Sequence, residues 1–168
     1  KGHDRYEQPK RRLDAVPGAE AGGMISYLPL GGQGVDNEFK IEGRPYDPNQ
    51  HVTADDRGVD HDYFRAMNIP LQRGRGFTEQ EARMRSRVVI ISDVMARRFF
   101  PNEDPVGQRL LLVGDAPGVS YEIIGVVGDV RHRALQREVY QMMYFPTLRQ
   151  RETKLVIRTD GALAHIMA

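Results

Sequence analysis

Histidine and aspartate lie close together at two places in the chain, and this pairing could hold a metal ion. His61 stands between Asp60 and Asp62, and His132 closely follows Asp129. Imidazole and carboxylate are common ligands of divalent cations, and such a centre would support metal-dependent hydrolysis. Because the histidines lack the i, i+4 spacing of an HExxH helix, the same pattern is also typical of a solvated helix cap and loop. The cap-and-loop interpretation is favoured, and a metal-dependent hydrolase remains the rival.

Other catalytic patterns are missing from the sequence. The chain has no cysteine, which excludes a disulfide framework, thiolate metal sites and a cysteine nucleophile. No serine stands in a G-x-S-x-G motif, and Glu103, Asp104 and Asp129 have no pairing that indicates acid-base catalysis. The glycine-rich run PLGGQG at 29–34 lacks the Lys-Ser/Thr ending of a P-loop, which favours a flexible loop. We therefore expect no catalytic residue, no cofactor and no bound metal.

The charge pattern gives little support for a nucleic-acid partner. The net charge is +1, and the arginines between residues 83 and 98 are interleaved with acidic residues. Such a pattern is typical of ordinary surface ion pairs, and it does not form the basic patch that nucleic-acid binding requires.

One stretch is unusually rich in large apolar side chains and has two interpretations. It consists of Tyr140, Met142, Met143, Tyr144 and Phe145. As a strand it would carry large side chains on both faces, so either it is buried or one face meets a partner. Burial in the core is favoured, and a partner interface is the alternative.

Hydrophobic periodicity predicts about eight strands and three or four short helices, an α+β fold. The clearest strands are a continuous apolar run at Val88–Ser92 and an alternating run at Lys154–Thr159. Helices this short depend on packing against a sheet. Side chains on their apolar faces and on the neighbouring strands are therefore predicted as core: Tyr63, Phe64, Met67, Phe77, Val88, Ile90, Phe99 and Phe100.

Local capping signals predict where the helices begin. Asp60 is placed to cap a helix over 60–68. Thr78 and Glu81 fit a capping box, in which each side chain bonds the backbone amide of the other. Ser92 or Asp93 is placed to cap a third helix, which ends before Pro101.

Six motifs occur in a fixed order between Leu13 and Gly161. They are LDAVPGAEA with LPL, FKIEGRP, VDHDYFRAMNIPLQRGRGFT, VVIISDVMARRFFPNEDPVGQRL, YEIIGVVGDVRH and LVIRTDG. In this order they resemble the MacB-like periplasmic core domain of ABC-transporter permeases of the MacB/FtsX/LolE superfamily. Within that superfamily they are most similar to the duplicated orphan permeases of acidobacteria, which lack a fused ATPase.

The resemblance implies a periplasmic domain of a bacterial inner-membrane permease, inserted between two transmembrane helices. It implies a porter-like α/β lobe over 1–75 and 140–168, incomplete at its C-terminal end, and a smaller β-rich lobe over 76–139. It also implies four partners: the transmembrane helices of the same permease, a separate cytoplasmic ABC ATPase, a periplasmic adaptor and a second copy in a full-length dimer. The implied function is transmission of ATP-driven motion for export. The alternative is a module that recruits an adaptor or a cell-wall enzyme.

Overall fold

The computed structural model describes residues 19–29, 35–47, 49, 51–84, 86–130, 139–146 and 154–159. The strands in this part of the chain are β1 (Ala19–Ile25), β2 (Val35–Ile41), β3 (Thr53–Gly58), β4 (Leu71–Gly74), β5 (Val88–Ser92), β6 (Arg109–Leu112), β7 (Tyr121–Val127), β8 (Met142–Phe145) and β9 (Lys154–Thr159). The helices are α1 (Tyr63–Ala66), α2 (Glu79–Met84) and α3 (Asp93–Phe99). The fold is α+β, as the sequence predicted.

Six of the strands form a closed ring, which we call the barrel. Their order is β7–β5–β8–β3–β2–β6, and β6 pairs with β7 to close the ring. The β5–β7 and β3–β8 pairs are parallel, and the other pairs are antiparallel. β4 lies outside the ring, where it shares the second edge of β7 with β6. Closure leaves the ring without an open edge, which limits pairing with other chains.

The barrel encloses the larger of two hydrophobic clusters. Every strand of the ring contributes to it, and α3 adds Met95, Ala96 and Phe100. The strand members are Phe39, Ala54, Val89, Ile91, Leu110, Leu112, Tyr121, Ile123, Val126, Met143 and Phe145. Within β5 the side chains alternate, so Ile90 belongs to the second cluster on the outer face. Burial on both faces explains why Val88–Ser92 reads as a continuous apolar run.

The outer face of β5, β7 and β8 is covered by α1 and β1. Phe64 of α1 packs on Tyr144 with ring centroids 5.0 Å apart, in an edge-to-face arrangement. β1 pairs along its length with β9, and Ala19 lies opposite Thr159. We call this two-stranded sheet the ribbon. Because a two-stranded sheet is only marginally stable alone, the ribbon depends on its contact with α1.

The side chains predicted as core lie in or against these two clusters. Five are buried, namely Tyr63, Phe64, Phe77, Ile90 and Phe100. Three are half-buried and pack against a cluster, namely Met67, Val88 and Phe99.

We expect Gly23→Ala to destabilise the docking of the ribbon. A Cβ at Gly23 would lie 2.6 Å from the Cα of Tyr63, a backbone atom that cannot rotate away. Overpacking of this kind costs about 1–3 kcal/mol in the free energy of unfolding. Gly76→Ala is the control, because a Cβ there meets nothing within 4 Å. Urea unfolding of both variants checks the prediction, and equal midpoints would contradict it.

The predicted capping box is confirmed at the start of α2. The Thr78 hydroxyl accepts the Glu81 N–H at 3.1 Å, and the Glu81 carboxylate accepts the Thr78 N–H at 2.8 Å. The Arg75 guanidinium donates two further bonds to Glu81, and these bonds hold the pKa of its carboxyl below the usual value. This contribution to stability is therefore present above the ordinary glutamate pKa and is lost as pH falls through the lowered one.

The predicted cap at Asp60 is wrong. α1 begins at Tyr63 with Asp62 in the N-cap position. The Asp60 carboxylate accepts the N–H of Met24 in β1 instead, so its side chain serves a contact between elements. Ser92 does occupy the N-cap position of α3, but its hydroxyl accepts the Met142 N–H at 3.0 Å and makes no capping bond.

Strands from both predicted lobes share one sheet. β2, β3 and β8 fall in the ranges assigned to the porter-like lobe, whereas β5, β6 and β7 fall in 76–139. β8 hydrogen-bonds to β3 on one side and to β5 on the other, so the sheet is continuous across the predicted boundaries.

Some predictions fall outside the described residues. They are the loop over 30–34 and the candidate ligand His132. Among the described helices, none has the length and apolar character needed to cross a membrane.

Candidate functional site at the junction

The ribbon meets the barrel where the end of β1 crosses the end of β3. We call this place the junction, formed by residues 24–26 and 58–60. Ile25 and Val59 form an isolated antiparallel bridge at its centre. The Ser26 N–H donates to the Gly58 carbonyl at 2.8 Å, and the Ser26 hydroxyl accepts the Gly58 N–H at 3.0 Å. These bonds join the end of β1 in the ribbon to the end of β3 in the barrel.

Asp60 closes the other side of the junction through its backbone and its side chain. Its N–H donates to the Met24 carbonyl at 3.1 Å, and its carboxylate accepts the Met24 N–H at 2.9 Å. Both residues are 0% exposed. Hydrogen bonds to a buried carboxylate are stronger than neutral ones, so Asp60 fixes the position of β1 relative to β3.

A fully buried ion pair lies beside the junction. Arg57 donates to the Asp55 carboxylate at 2.9 Å, and both side chains are 0% exposed. Both residues belong to β3, and their partners in the parallel strand β8 are Met142 and Tyr144. The Arg57 guanidinium also lies over the ring of Tyr27, 5.3 Å from its centre.

These charged groups mark one part of the contact between the ribbon and the barrel. We call Asp55, Arg57 and Asp60 the polar seam. The outer hydrophobic cluster lies on the same face of the sheet, so charged groups sit within an otherwise apolar layer. Buried charge needs well-made hydrogen bonds to offset the loss of water.

Two tyrosines beside the polar seam remain neutral. Burial raises the pKa of both Tyr63 and Tyr144, and the nearby Arg57 charge opposes this shift only in part. Their ring centroids lie 6.3 Å apart. Both phenols therefore stay protonated near neutral pH, and both rings pack within the outer hydrophobic cluster.

Three candidate ligands of the rival metal-site interpretation make contacts within the fold. Asp60, His61 and Asp62 place one ligand atom each within 4.8 Å of one another. The Asp60 carboxylate accepts from Met24, and Asp62 accepts from Arg65 at 3.0 Å. His61 Nε2 lies 3.3 Å from the second oxygen of Asp62. These contacts favour a structural role for the three residues.

The stretch rich in methionine and aromatic residues lies at the centre of the sheet. Met142–Phe145 forms β8, between β3 and β5, and no side chain in it is more than 3% exposed. Tyr140 is half-buried, and its hydroxyl lies 3.0 Å from that of Thr53. Because neighbours cover both edges and both faces of β8, this structure offers no face of it to a partner.

Asp129, the carboxylate predicted near His132, caps α3 from outside the helix. Its carboxylate accepts the Val94 N–H at 2.8 Å and contacts Arg97 at 3.2 Å. It therefore performs the capping function that Ser92 does not.

We expect Asp129→Ala to lower the free energy of unfolding by about 1 kcal/mol, the usual contribution of a helix cap. Asp129→Asn keeps an acceptor oxygen, so its loss should be smaller. Thermal unfolding of the two variants checks this order. A smaller loss for alanine than for asparagine would contradict the capping role.

The polar seam was not predicted from the sequence. TADDRG in β3 reads as a half-buried strand with its charges in solvent. A weak signal does exist, because Asp55 and Arg57 lie two residues apart and so must face the same side of a strand. The sequence does not show which side is buried.

Comparisons with known proteins agree on one family. The family described as MacB-like periplasmic core domain matches residues 11–164. A macrolide export ATP-binding/permease protein, MacB 2 of Aeromonas hydrophila, is 31% identical over 120 residues, which cover 71% of this chain and 16% of that protein. The "Probable syringafactin export ATP-binding/permease protein SyfD" of Pseudomonas syringae is 39% identical over 82 residues, 48% of this chain and 12% of that protein. The chain thus spans a small part of these relatives.

Solved structures have the same fold. The extracellular domain of the noncanonic ABC-type transporter YknZ from Gram-positive bacteria has a TM-score of 0.61 at 19% identity, covering 93% of this chain and 73% of that one. The periplasmic region of MacB from Actinobacillus actinomycetemcomitans has a TM-score of 0.58 at 15% identity, covering 92% and 82%. At these identities the likeness concerns the fold.

Proposed function

This chain belongs to the family of MacB-like periplasmic core domains, and we propose that it transmits ATP-driven motion within an ABC-transporter-type permease. It is an extracytoplasmic domain of an inner-membrane permease. We propose further that the domain is not an enzyme and that it supports export by moving. This agrees with the contacts that occupy Asp60, His61 and Asp62 within the fold.

The pairing of β1 with β9 is the observation that supports this function best. Ala19 and Thr159 lie opposite each other, so the chain enters and leaves the described fold at one place. A domain connected in this way can be joined to two neighbouring transmembrane helices of its own permease. A movement of those helices would then reach the barrel through the ribbon and the junction.

The proposed partners follow from this arrangement. They are the transmembrane helices of the same permease, a cytoplasmic ABC ATPase, a periplasmic adaptor and a second copy in the full-length dimer. The relatives named above are ATP-binding/permease proteins for export, which supports the ATPase as the source of energy.

We also propose a division into two lobes that follows the sheets. The barrel would be the smaller, mostly β lobe. The ribbon would belong to the porter-like lobe, and α1, which packs on the barrel through Phe64, would lie at the boundary between the two lobes. This division keeps each sheet intact, which the boundaries at 75/76 and 139/140 do not.

Spin labels in the full-length permease test the transmission of motion. Leu155 in the ribbon and Val113 at the end of β6 are 40% and 42% exposed, so a Leu155→Cys/Val113→Cys pair reports the distance from ribbon to barrel. The protein would be placed in nanodiscs with its ATPase and measured with and without ATP. We expect ATP to change this distance distribution.

A matched pair within the barrel and its attached strand provides the control. Leu71→Cys/Val113→Cys uses two exposed positions, one at the start of β4 and one directly after β6. Both of these strands pair with β7. We expect the distance distribution of this pair to stay unchanged by ATP. An unchanged distance for both pairs would refute the proposed transmission.

A further inference from the structure

We infer that the ribbon separates from the barrel by opening at the polar seam, while the barrel stays folded. A role of this separation in transmitting ATP-driven motion rests on the proposed function, whereas the separation itself is a property of this chain alone. The two ideas can therefore fail independently. Three features of the contact carry the inference.

The first feature is the small number of links between the ribbon and the barrel. Among the described residues, the bridge between them is the single pair Ile25 and Val59. The hydrogen bonds of Ser26 with Gly58 and of Met24 with Asp60 flank it. When the junction opens, each of these groups can bond to water instead, which offsets much of the loss.

The second feature is the charge buried beside this link. The Asp55–Arg57 pair is fully buried, and such pairs often stabilise a fold no better than apolar side chains of the same volume. The ring of Tyr27, just after β1, lies over the Arg57 guanidinium, so opening at this place gives the charge access to water. The polar seam therefore opens more easily than an apolar contact of equal area.

The third feature is the close backbone approach of β1 to α1 at Gly23. Gly23 lies against the backbone of Tyr63. α1 itself stays with the barrel, because it follows β3 directly and its Phe64 packs on Tyr144. The boundary of the moving unit thus runs between β1 and α1.

Within the described residues, the strands of the barrel show no comparable weak line. Each of its strands pairs on both sides, and all six contribute to one enclosed cluster. Separation of a peripheral unit at lower free energy than global unfolding is common in proteins with such unequal parts.

Two matched cysteine variants of this chain test the inference. Ile25→Cys lies at the junction and Ile91→Cys lies inside the barrel, and both positions are 0% exposed. The chain has no other cysteine, so each thiol reports one site. Labelling with iodoacetamide under native conditions measures how often each site opens to solvent.

We expect Ile25→Cys to be labelled at least about tenfold faster than Ile91→Cys, after correction for each variant's own free energy of unfolding. Its rate should also depend less on urea, because a local opening exposes less surface than global unfolding. Equal corrected rates with equal dependence on urea would overturn the inference.

The role of the charges has its own test. Asp55→Leu/Arg57→Met, added to Ile25→Cys, should slow the labelling, whereas unchanged or faster labelling in a folded protein would refute that role. Hydrogen exchange of the unsubstituted chain needs no variant. The amides of Met24 and Asp60 should exchange faster than that of Val126 in the barrel, and equal protection would overturn the inference.

Discussion

We expect Asp55→Ala to lower the free energy of unfolding by about 3–5 kcal/mol, because it leaves the Arg57 guanidinium buried without the carboxylate to which it donates. Both side chains are fully buried, so water cannot replace the lost partner in the folded state. Chemical denaturation of the variant and the unsubstituted chain measures the loss.

Replacing both members of the pair separates the charge from the packing. We expect Asp55→Leu/Arg57→Met to be far less destabilising than Asp55→Ala, since no unpaired charge remains. The single and double variants form a cycle whose interaction term gives the coupling between the two residues. A double variant as unstable as Asp55→Ala would show that the unbalanced charge has little effect and that the change in side-chain packing determines the loss of stability.

The second large effect is expected at Phe64. Phe64→Ala should lower the free energy of unfolding by about 3–5 kcal/mol, because the cavity it leaves cannot collapse between α1 and the sheet. The ring lies edge-on to Tyr144 at 5.0 Å and 6.2 Å from the ring of Phe77, so the substitution removes contacts with both. Urea unfolding measures the loss.

Phe99→Ala serves as the matched control for this prediction. Phe99 packs edge-on to Phe39 at 5.1 Å but is only half-buried, so solvent can fill part of the space it leaves. We expect a clearly smaller loss than for Phe64→Ala. If the two variants lost the same stability, the difference in burial between these positions would not govern their contribution.

Local signals in the sequence predicted the elements that depend on neighbouring residues. The capping box of Thr78 and Glu81 is an interaction across one helical turn, and the structure has both of its hydrogen bonds. Val88–Ser92 and Lys154–Thr159 have the predicted bounds, because their apolar patterns reflect the faces that each strand buries.

Structural features that depend on residues distant in the chain were not predicted from local sequence patterns. Asp60 has the sequence position of a helix cap, but its carboxylate accepts from Met24 in a strand far away in the chain. Closure of the barrel depends on β6 pairing with both β2 and β7, and nothing in four residues of β6 indicates two partners. The junction was therefore not predicted as a site.

The family was identified from the sequence more readily than the site was. Six ordered motifs resembled MacB-like periplasmic core domains, and the family match over residues 11–164 confirms that identification. The motifs mark turns, helix ends and buried strands, which are scaffold features. They do not report the buried charges of Asp55 and Arg57, whose burial depends on how residues distant in the chain pack on the outer face of β3.

The pairing of Ala19 with Thr159 also sets the order in which the fold can form. Among the described strands, β1 is made first, and its partner β9 is made after every strand of the barrel. A contact this distant in sequence forms slowly, because the chain loses the entropy of closing a long loop before the hydrogen bonds of the strand pair can offset that loss. During synthesis and export, β1 therefore lacks its partner strand, and the side chains of Met24 and Ile25 are exposed to solvent until β9 has been made. Aggregation of newly made chains would begin at this strand.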